Sequence, residues 1–288
     1  MKRKLFCEIC PLTYRISVQK NIIIRKIKDM CGRACFATQK TDEKLPVVIY
    51  EHKSLVRRVL GNVDMRLQEN KAINLSIAAP KVSGVLIRPG ETFSFWRLVG
   101  KTKASKGYKE GVTISKSETT SGIGGGMCQF TNLIQWMVLH SPLEIVERHR
   151  HDGLDLFPDF NRQIPFGTGT SITYNYLDYR VKNNTDNTFQ LITYVTDKYL
   201  CGELRAVAPM NVKYHIEKEN ECFVRENGIV YREGLVFRNC IDKLTGKIIS
   251  RECIQKNHAK VMYDTEGLNI IEKGFIPEPP VLHKMSGS

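Results

Sequence analysis

The chain has 288 residues, 42% of them hydrophobic, which supports a substantial core and argues against a mainly disordered chain. Its formal net charge is +13, and nine Lys and Arg against two carboxylates fall within residues 1–33. This local excess favours an anionic partner: a membrane surface, nucleic acid or an acidic polymer.

The nine cysteines favour a reducing compartment, because an odd number spread over this length does not resemble a secreted disulfide framework. The N-terminal segment is basic but has no uninterrupted apolar region and no small-residue cleavage site, so no signal peptide is recognised. No run of about 18 apolar residues occurs, and no transmembrane helix is expected. We therefore expect a cytoplasmic protein, or one attached peripherally to a membrane.

Residues 1–45 are predicted to form a basic, partly helical arm. Four apolar side chains fall close to one helical face, with basic side chains between them: Ile16, Ile23, Ile27 and Met30. Such a face can lie on an anionic membrane surface. Packing against the protein's own body is the more common arrangement and is the one expected here.

Four cysteines of the arm have a spacing that four zinc thiolates can adopt: Cys7, Cys10, Cys31 and Cys35. Neither pair lies in the glycine and aromatic context that strengthens a zinc motif. The sequence alone therefore leaves zinc binding by the arm open.

Residues 46–210 are predicted to form the main domain. Good helix formers predict a helix over residues 64–79 that stops before Pro80. Two strands are then expected on either side of a Pro89-Gly90 turn, in which the glycine supplies a positive φ.

A glycine-rich loop leads into a second helix of this domain. Apolar residues with helical spacing predict that helix over residues 128–140, and a strand is expected over 143–151. Residues 170–197 contain two β-branched and aromatic runs, which predict a long hairpin around the polar turn 183–188.

Residues 211–270 are predicted to form a β-rich appendage, because Asn227-Gly228 separates two alternating segments and a glycine-containing loop separates two more. Residues 271–288 are proline-rich and are expected to be a disordered tail. The predicted fold class is α+β: a helix that carries Cys128 packed on an antiparallel sheet, an N-terminal helical arm and a small C-terminal β-hairpin appendage.

The segment GIGGGMCQF, residues 122–130, places Cys128 in the first turn of a helix entered through glycines. A helix N-terminus lowers the pKa of a thiol and can hold an oxyanion, so Cys128 is a candidate nucleophile. The glycines would let a peptide-like substrate reach the sulfur, and Gln129 or local amides would donate to the oxyanion. The alternative is a buried structural cysteine at a tight helix entry.

The strand LEIVERHRH supplies a candidate base. With a period of two, Glu147, His149 and His151 share one face of this strand. His149 is interpreted as a general base whose tautomer is held by Glu147 or His151, with Asp178 as the other candidate orienter. A solvated, charged strand end is the alternative.

The same histidines are also candidate metal ligands. His149 and His151 could form a zinc site with Cys128, or with a carboxylate such as Asp152 or Asp155. Imidazole and thiolate are the ligands that zinc prefers, so the residue types alone do not distinguish this site from a catalytic one.

Five segments resemble the VanW family, which is found beside vancomycin-resistance genes of B type and in many bacterial envelope proteins. They are RPGETFSFWRLVG, GYKEG, GIGGGMCQFTNLIQWMVL, IVERHRH and LDYRVKNNT, in the family's order and spacing, and they lie within residues 64–205. The pairing of GGGxCQ with a downstream ERHxH is the specific part of the resemblance.

The resemblance implies site residues position by position. The catalytic candidates are Cys128, Glu147, His149, His151 and Asp178, and the substrate-binding candidates are Gly124, Gly125, Gly126, Gln129, Arg148 and Ser94. It also implies thiol-dependent acyl transfer on peptidoglycan stem peptides, similar to that of an L,D-transpeptidase, with no cofactor and no metal.

The chain departs from the family pattern at two places. Phe130, Thr131, Asn132 and Leu133 follow GGGMCQ, where the family usually has Ser/Thr-Thr-Leu. Gly169-Thr170 stands where the family usually has Asp-Ala, which removes one possible orienting acid.

Three classes of function are therefore compared. The first is thiol acyl transfer or hydrolysis linked to glycopeptide resistance, the second is a non-catalytic module that binds a peptidoglycan precursor or a glycopeptide, and the third is a zinc protein. The expected partners are a stem peptide or precursor and, through the arm, an anionic membrane surface. Nucleic acid is not expected, because the basic residues are not interleaved with aromatic residues on one face.

Overall fold

The structure is a computed structural model that describes residues 5–57, 64–115, 118–150, 153–156, 158–159 and 164–273. Its α-helices are α1 (Pro11–Cys31), α2 (Met65–Val82), α3 (Phe95–Val99) and α4 (Met127–Leu139). Its strands are β1 (Cys35–Phe36), β2 (Val47–Leu55), β3 (Val85–Ile87), β4 (Glu91–Ser94), β5 (Glu110–Ser115), β6 (Glu118–Ile123), β7 (Glu144–Glu147), β8 (Leu154–Asp155), β9 (Arg180–Lys182), β10 (Phe189–Val195), β11 (Tyr199–Ala206), β12 (Val212–Glu226), β13 (Ile229–Asp242), β14 (Ile248–Val261) and β15 (Ile270–Glu272).

The predicted α+β class is confirmed, with mostly antiparallel strand pairing. Two four-stranded sheets, in the orders β1-β4-β9-β7 and β2-β11-β10-β3, share one hydrophobic core with α2 and α4. A two-stranded ribbon of β5 and β6 precedes α4. The candidate cysteine therefore lies on a helix that packs against a sheet, as the sequence predicts.

Helix α4 begins at Met127 and ends at Leu139, close to the predicted bounds, because its apolar residues repeat with helical spacing. It lies unusually close to β11 at Gly202. A Cβ on Gly202 would be 2.7 Å from Met137 Cε and 2.9 Å from Leu133 Cδ2, closer than carbon atoms approach without contact strain. This glycine therefore sets the depth at which α4 packs on the sheet.

The C-terminal strands form a five-stranded sheet in the order β15-β12-β13-β14-β8. The predicted hairpin turn is confirmed: Asn227 and Gly228 have φ values of 50° and 78°, as the tight β12–β13 turn requires. Strand β8, from the middle of the chain, pairs with β14 at one edge. Trp136 and Leu139 of α4 pack against Ile216 and Val236, which joins this sheet to the helix that carries Cys128.

The prediction of a long hairpin over residues 170–197 is wrong. Strand β9 pairs with β4 and β7, whereas β10 pairs with β3 and β11 in the other sheet. Between them the buried Asn183 donates from its side-chain amide to the carbonyls of Ile87 and Asn187, at 2.8 and 2.7 Å. These contacts carry the chain from one sheet to the other, and a local propensity pattern does not contain them.

Helix α2 runs beyond its predicted end. It continues through Pro80 to Val82, and the Ser83 N–H donates to the Ala79 carbonyl at 2.9 Å. Pro80 lies in the last turn, where the single intrahelical bond that it cannot donate has little effect on the preceding turns.

The arm does not pack as expected. Ile16, Ile23, Ile27 and Met30 of α1 are exposed, by 49%, 55%, 52% and 82%. The helix instead contacts the domain through its polar side, where Arg25 pairs with Glu147 and Asp29 pairs with Arg180. The expectation that the apolar face packs on the protein's own body is therefore wrong. Among the described residues, no helix is long and apolar enough to cross a membrane.

Candidate functional site

The glycine loop before Cys128 packs against the protein's own backbone. Gly124 and Gly126 have φ values of 84° and 107°, in the region that favours glycine. A Cβ on Gly125 would be 2.3 Å from the carbonyl carbon of Gly111 in β5. The close approach that these glycines permit is therefore between two segments of this chain, and their role in substrate binding stays a prediction.

Asn74 of α2 fixes the glycine loop and was not among the predicted site residues. Its side-chain amide donates to the carbonyls of Gly125 and Lys109, at 2.9 and 3.0 Å, and its Oδ1 accepts from the Lys109 N–H at 2.7 Å. Asn74 is fully buried. The signal in the sequence is a polar stripe at a spacing of three on the buried side of the helix: Gln68, Lys71 and Asn74.

Cys128 lies in the first turn of α4, as predicted, but its electrostatic setting differs from the expectation. Burial raises the pKa of the Cys128 thiol, although backbone N–H groups of Ile172 and of Cys128 itself donate towards the sulfur and oppose the shift. The raised pKa means that the thiol is protonated at neutral pH. The expected lowering by the helix N-terminus is therefore outweighed by desolvation.

Residues 167–172, called the strap, connect Cys128 to the predicted base. The Ser171 N–H donates to the backbone carbonyl of His149 at 2.7 Å, and the next amide, that of Ile172, lies near enough to the Cys128 sulfur to act against the rise in the pKa of the thiol. Among the described residues, no hydrogen bond joins the Cys128 sulfur to a histidine. The strap thus lies beside both Cys128 and the backbone of His149.

Arg148 and the first turns of α4 hold the strap in place. Arg148 donates to the carbonyls of Gly169 and Gly167, at 3.2 and 2.7 Å. Thr170 bonds to the Thr131 hydroxyl at 2.5 Å, and donates to Asn132 Oδ1 from its amide at 2.6 Å and from its hydroxyl at 2.9 Å. The guanidinium of Arg148 thus supports the strap, and its assignment to substrate binding stays a prediction.

His149 lies just beyond the end of β7 and pairs with Glu147. The distance from His149 Nε2 to Glu147 Oε1 is 2.9 Å, and the imidazole is 34% exposed. Burial favours a high pKa for Glu147, but donors from Arg25, His149 and the Asp178 N–H outweigh it and lower the pKa. Glu147 is therefore an anion at neutral pH, which favours a proton on the nitrogen that faces it.

Helix α1 covers the outer side of this carboxylate–imidazole pair. Arg25 donates to both oxygens of Glu147, at 2.5 and 2.6 Å, and Asp29 accepts two bonds from Arg180, at 2.7 and 2.6 Å. Arg25 and Asp29 are four residues apart and share a helical face. Neither the sequence of the arm nor that of the ERHRH segment, taken separately, predicts this contact.

Asp178 is a buried structural acceptor rather than the partner of His149. Its carboxylate accepts from Ser94 Oγ at 2.5 Å, Arg180 Nε at 2.8 Å and the backbone N–H of Trp96 at 3.0 Å. Of the three candidate orienters, Glu147 is the one that bonds to the imidazole of His149, and His151 lies outside the described residues. Asp178 and Ser94 bond to each other, and their catalytic and substrate-binding roles stay predictions.

The side-chain amide of Gln129 is already hydrogen-bonded to other residues of the protein. It donates to Ser54 Oγ at 2.9 Å and to the Leu55 carbonyl at 2.8 Å, which fixes the end of β2 to α4. The predicted donation from this amide to an oxyanion would require both bonds to break.

The candidate metal sites have different outcomes. His151 and Asp152 lie outside the described residues, so a site completed by them is not placed. Among the described residues, the one group of ligand atoms close enough to share a metal ion comprises Glu226, Glu233 and His258. The cysteines of the arm do not form such a group.

The fold and the site define a class: an α+β domain with a cysteine at a glycine-entered helix start, joined by a strap to a carboxylate–imidazole pair. A family model described as VanW like protein matches residues 70–205. The chain therefore belongs to the VanW family, as the motifs predict, and this family is linked to vancomycin resistance.

Two relatives support this membership. The chain is 35% identical over 229 residues to the vancomycin B-type resistance protein VanW of Enterococcus faecalis. The aligned residues cover 80% of this chain and 83% of that protein. The chain is also 30% identical over 118 residues to the uncharacterized protein YoaR of Bacillus subtilis. That alignment covers 40% of this chain and 36% of that protein. No solved structure matches the chain.

Proposed function

We propose that this protein acts on peptidoglycan stem peptides in glycopeptide resistance, by acyl transfer through Cys128. The observation that carries the proposal is the strap, in which the Ser171 N–H donates to the His149 carbonyl and the neighbouring Thr170 bonds to Thr131 and Asn132, in the turn after Cys128. His149 is in turn paired with an ionised Glu147. A thiol, an imidazole and an orienting acid are the groups that thiol acyl transfer requires.

The proposed reaction has two halves. His149 takes the Cys128 proton as the sulfur attacks the carbonyl carbon before a D-Ala residue, and the tetrahedral intermediate breaks its C–N bond. The amine takes the proton from His149 and leaves as free D-Ala, and a thioester remains. The amine of a second stem peptide then attacks the thioester, its proton passes through His149 to the sulfur, and the thiol is restored.

Activation of the thiol requires a change at the strap. The thiol is protonated at neutral pH and, among the described residues, bonds to no imidazole, so substrate binding must bring His149 within hydrogen-bond reach of the sulfur. The Ile172 N–H beside the sulfur would then stabilise the thiolate or a nearby oxyanion. His149 is partly exposed, which leaves it room to move.

The test is conversion of a synthetic stem tetrapeptide and an acceptor amine by the purified full chain. The proposal expects D-Ala release, a mass increment of one acyl group on the Cys128 peptide, and loss of both in Cys128→Ser. His149→Asn should slow formation of the thioester. Turnover by Cys128→Ser at the parent rate would overturn the proposal.

A second candidate function is a non-catalytic module that binds a peptidoglycan precursor or a glycopeptide. The observation that favours it is the resting state of Cys128, whose thiol has a raised pKa and bonds to no histidine in the part of the chain that the structure describes. This reading expects Cys128→Ser and Cys128→Ala to bind the same stem peptide with unchanged affinity in calorimetry, and expects no D-Ala release from the parent. Thiol acyl transfer instead predicts that the parent releases D-Ala and that the two variants do not.

A further inference from the structure

Helix α1 has two faces with opposite roles. At 100° per residue, Ile22, Arg25 and Asp29 lie in one sector of the helix, of about 60°. This is the sector that contacts the domain, where Ile22 is buried and Arg25 and Asp29 form ion pairs. The helix is thus held by charged side chains rather than by its larger apolar face.

The apolar stripe of α1 points away from the domain. Its members fall within a second sector of about 60° on the far side of the helix. They are exposed by 49% to 82%: Leu12, Ile16, Ile23, Ile27 and Met30. Leu5, Phe6 and Ile9, just before the helix, are also exposed. A continuous apolar surface of this kind on a folded protein marks an interaction site.

The charges on the exposed side of α1 are all positive. Arg15, Lys20, Lys26 and Lys28 are exposed. The one carboxylate of the helix, Asp29, is turned inward and paired with Arg180. An apolar stripe bordered by cations, on a helix lying flat, is the pattern that binds the interface of an anionic bilayer.

We propose that α1 docks this protein on the surface of an anionic lipid bilayer, with the apolar stripe in the boundary between headgroups and acyl chains. The helix lies parallel to the surface and gives a contact of about 30 Å along its axis. Its polar face stays on Glu147 and Arg180, which places the carboxylate–imidazole pair about one helix diameter, ~10 Å, from the bilayer. This proposal does not depend on the reactivity of Cys128.

The ion pairs explain why the stripe stays outward. A helix that packed its stripe on the domain would have to turn over and leave Glu147 and Arg180 without Arg25 and Asp29. Both carboxylates and both arginines of these pairs are largely removed from water, with 10% to 22% of each side chain exposed. Glu147 would keep His149 and Arg180 would keep Asp178, but the loss of one charged partner from each at this burial is costly, so the paired orientation is favoured.

The test is co-sedimentation of the full chain with phosphatidylcholine vesicles, with and without phosphatidylglycerol. The parent is expected to bind the mixed vesicles, and to bind pure phosphatidylcholine on the order of 1000-fold more weakly, because four cations lose their anionic partners. Equal binding to both vesicle types, or binding to neither, would overturn the proposal.

Variants separate the stripe from the charges. Ile16→Ser with Ile23→Ser and Ile27→Ser should abolish sedimentation, and Lys20→Glu with Lys26→Glu and Lys28→Glu should remove the preference for phosphatidylglycerol. These residues are exposed, so folding is retained and is checked by thermal melting followed by circular dichroism.

Matched controls change exposed residues of the same kinds elsewhere. Leu244→Ser with Ile248→Ser and Ile249→Ser, and separately Lys101→Glu with Lys243→Glu and Lys247→Glu, should bind like the parent. If the stripe variants bind vesicles like the parent, the docking surface is not α1. If the parent is a dimer that the stripe variants dissociate, and it does not bind vesicles, the stripe contacts a second copy and the proposal is wrong.

Discussion

Asn132 Oδ1 accepts two hydrogen bonds from Thr170, one from its amide at 2.6 Å and one from its hydroxyl at 2.9 Å. These residues occupy the two segments in which the chain departs from the usual VanW pattern. The two segments that depart from this pattern therefore contact each other through these hydrogen bonds. Together they set the position of the strap beside Cys128.

Loss of this contact should loosen the strap. Asn132→Ala leaves the Thr170 amide without its acceptor and should lower the free energy of unfolding by about 1–3 kcal/mol. In a double-mutant cycle with Thr170→Ala, the coupling energy should be at least about 0.5 kcal/mol. Urea denaturation measures both, and Asn211→Ala, at an exposed position, is the control. Strict additivity of the two changes would show that the contact does not hold the strap.

Gly125 should not tolerate a side chain. Gly125→Ala would place a Cβ 2.3 Å from the Gly111 backbone, so the glycine loop and β5 must separate. We expect a loss of about 3 kcal/mol in the free energy of unfolding. Gly122→Ala is the matched control, since its Cβ would be 3.4 Å from the nearest atoms, an ordinary contact. Similar stabilities for the two variants would contradict the close approach.

Glu147 should make the free energy of unfolding decrease as the pH falls into the acidic range. Its pKa is lowered in the folded state, because the donors from Arg25, His149 and the Asp178 N–H outweigh the effect of burial. Its contribution is therefore complete above the unfolded value, about 4.3, and is lost as the pH falls through the lower folded pKa.

The variant Glu147→Gln tests this dependence. It should be less stable than the parent at pH 7, and the difference should shrink as the pH is lowered from 5 towards 2. Urea denaturation across this range measures the effect, with the exposed Glu252→Gln as the control. A stability difference that stays constant with pH would exclude an ionised Glu147 as its source.

The resting Cys128 thiol should react slowly. Because burial raises its pKa, Cys128 should be alkylated by iodoacetamide at pH 7 at least about tenfold more slowly than the exposed Cys253. The rate at Cys128 should keep rising above pH 9. Peptide mapping by mass spectrometry separates the two sites. Faster alkylation of Cys128 than of Cys253 at pH 7 would show a thiolate that this structure does not contain.

Local sequence patterns determined several features of this protein. The helical spacing of apolar residues predicted α4 and placed Cys128 in its first turn, and Asn227-Gly228 predicted the β12–β13 turn. The motifs also identified the VanW family. Each of these depends on residues close together in the chain, whose spacing and backbone preferences act before any distant contact forms.

Tertiary contacts decided the rest. Glu147 is bonded to Arg25, a residue 122 positions away, and this pair turns the apolar stripe of α1 outward. The pKa of Cys128 depends on burial and on the strap, and Asn183 carries the chain from β9 to β10 between sheets instead of closing a hairpin. These outcomes depend on desolvation and on hydrogen bonds between distant segments, which hydrophobic periodicity and turn preferences do not encode.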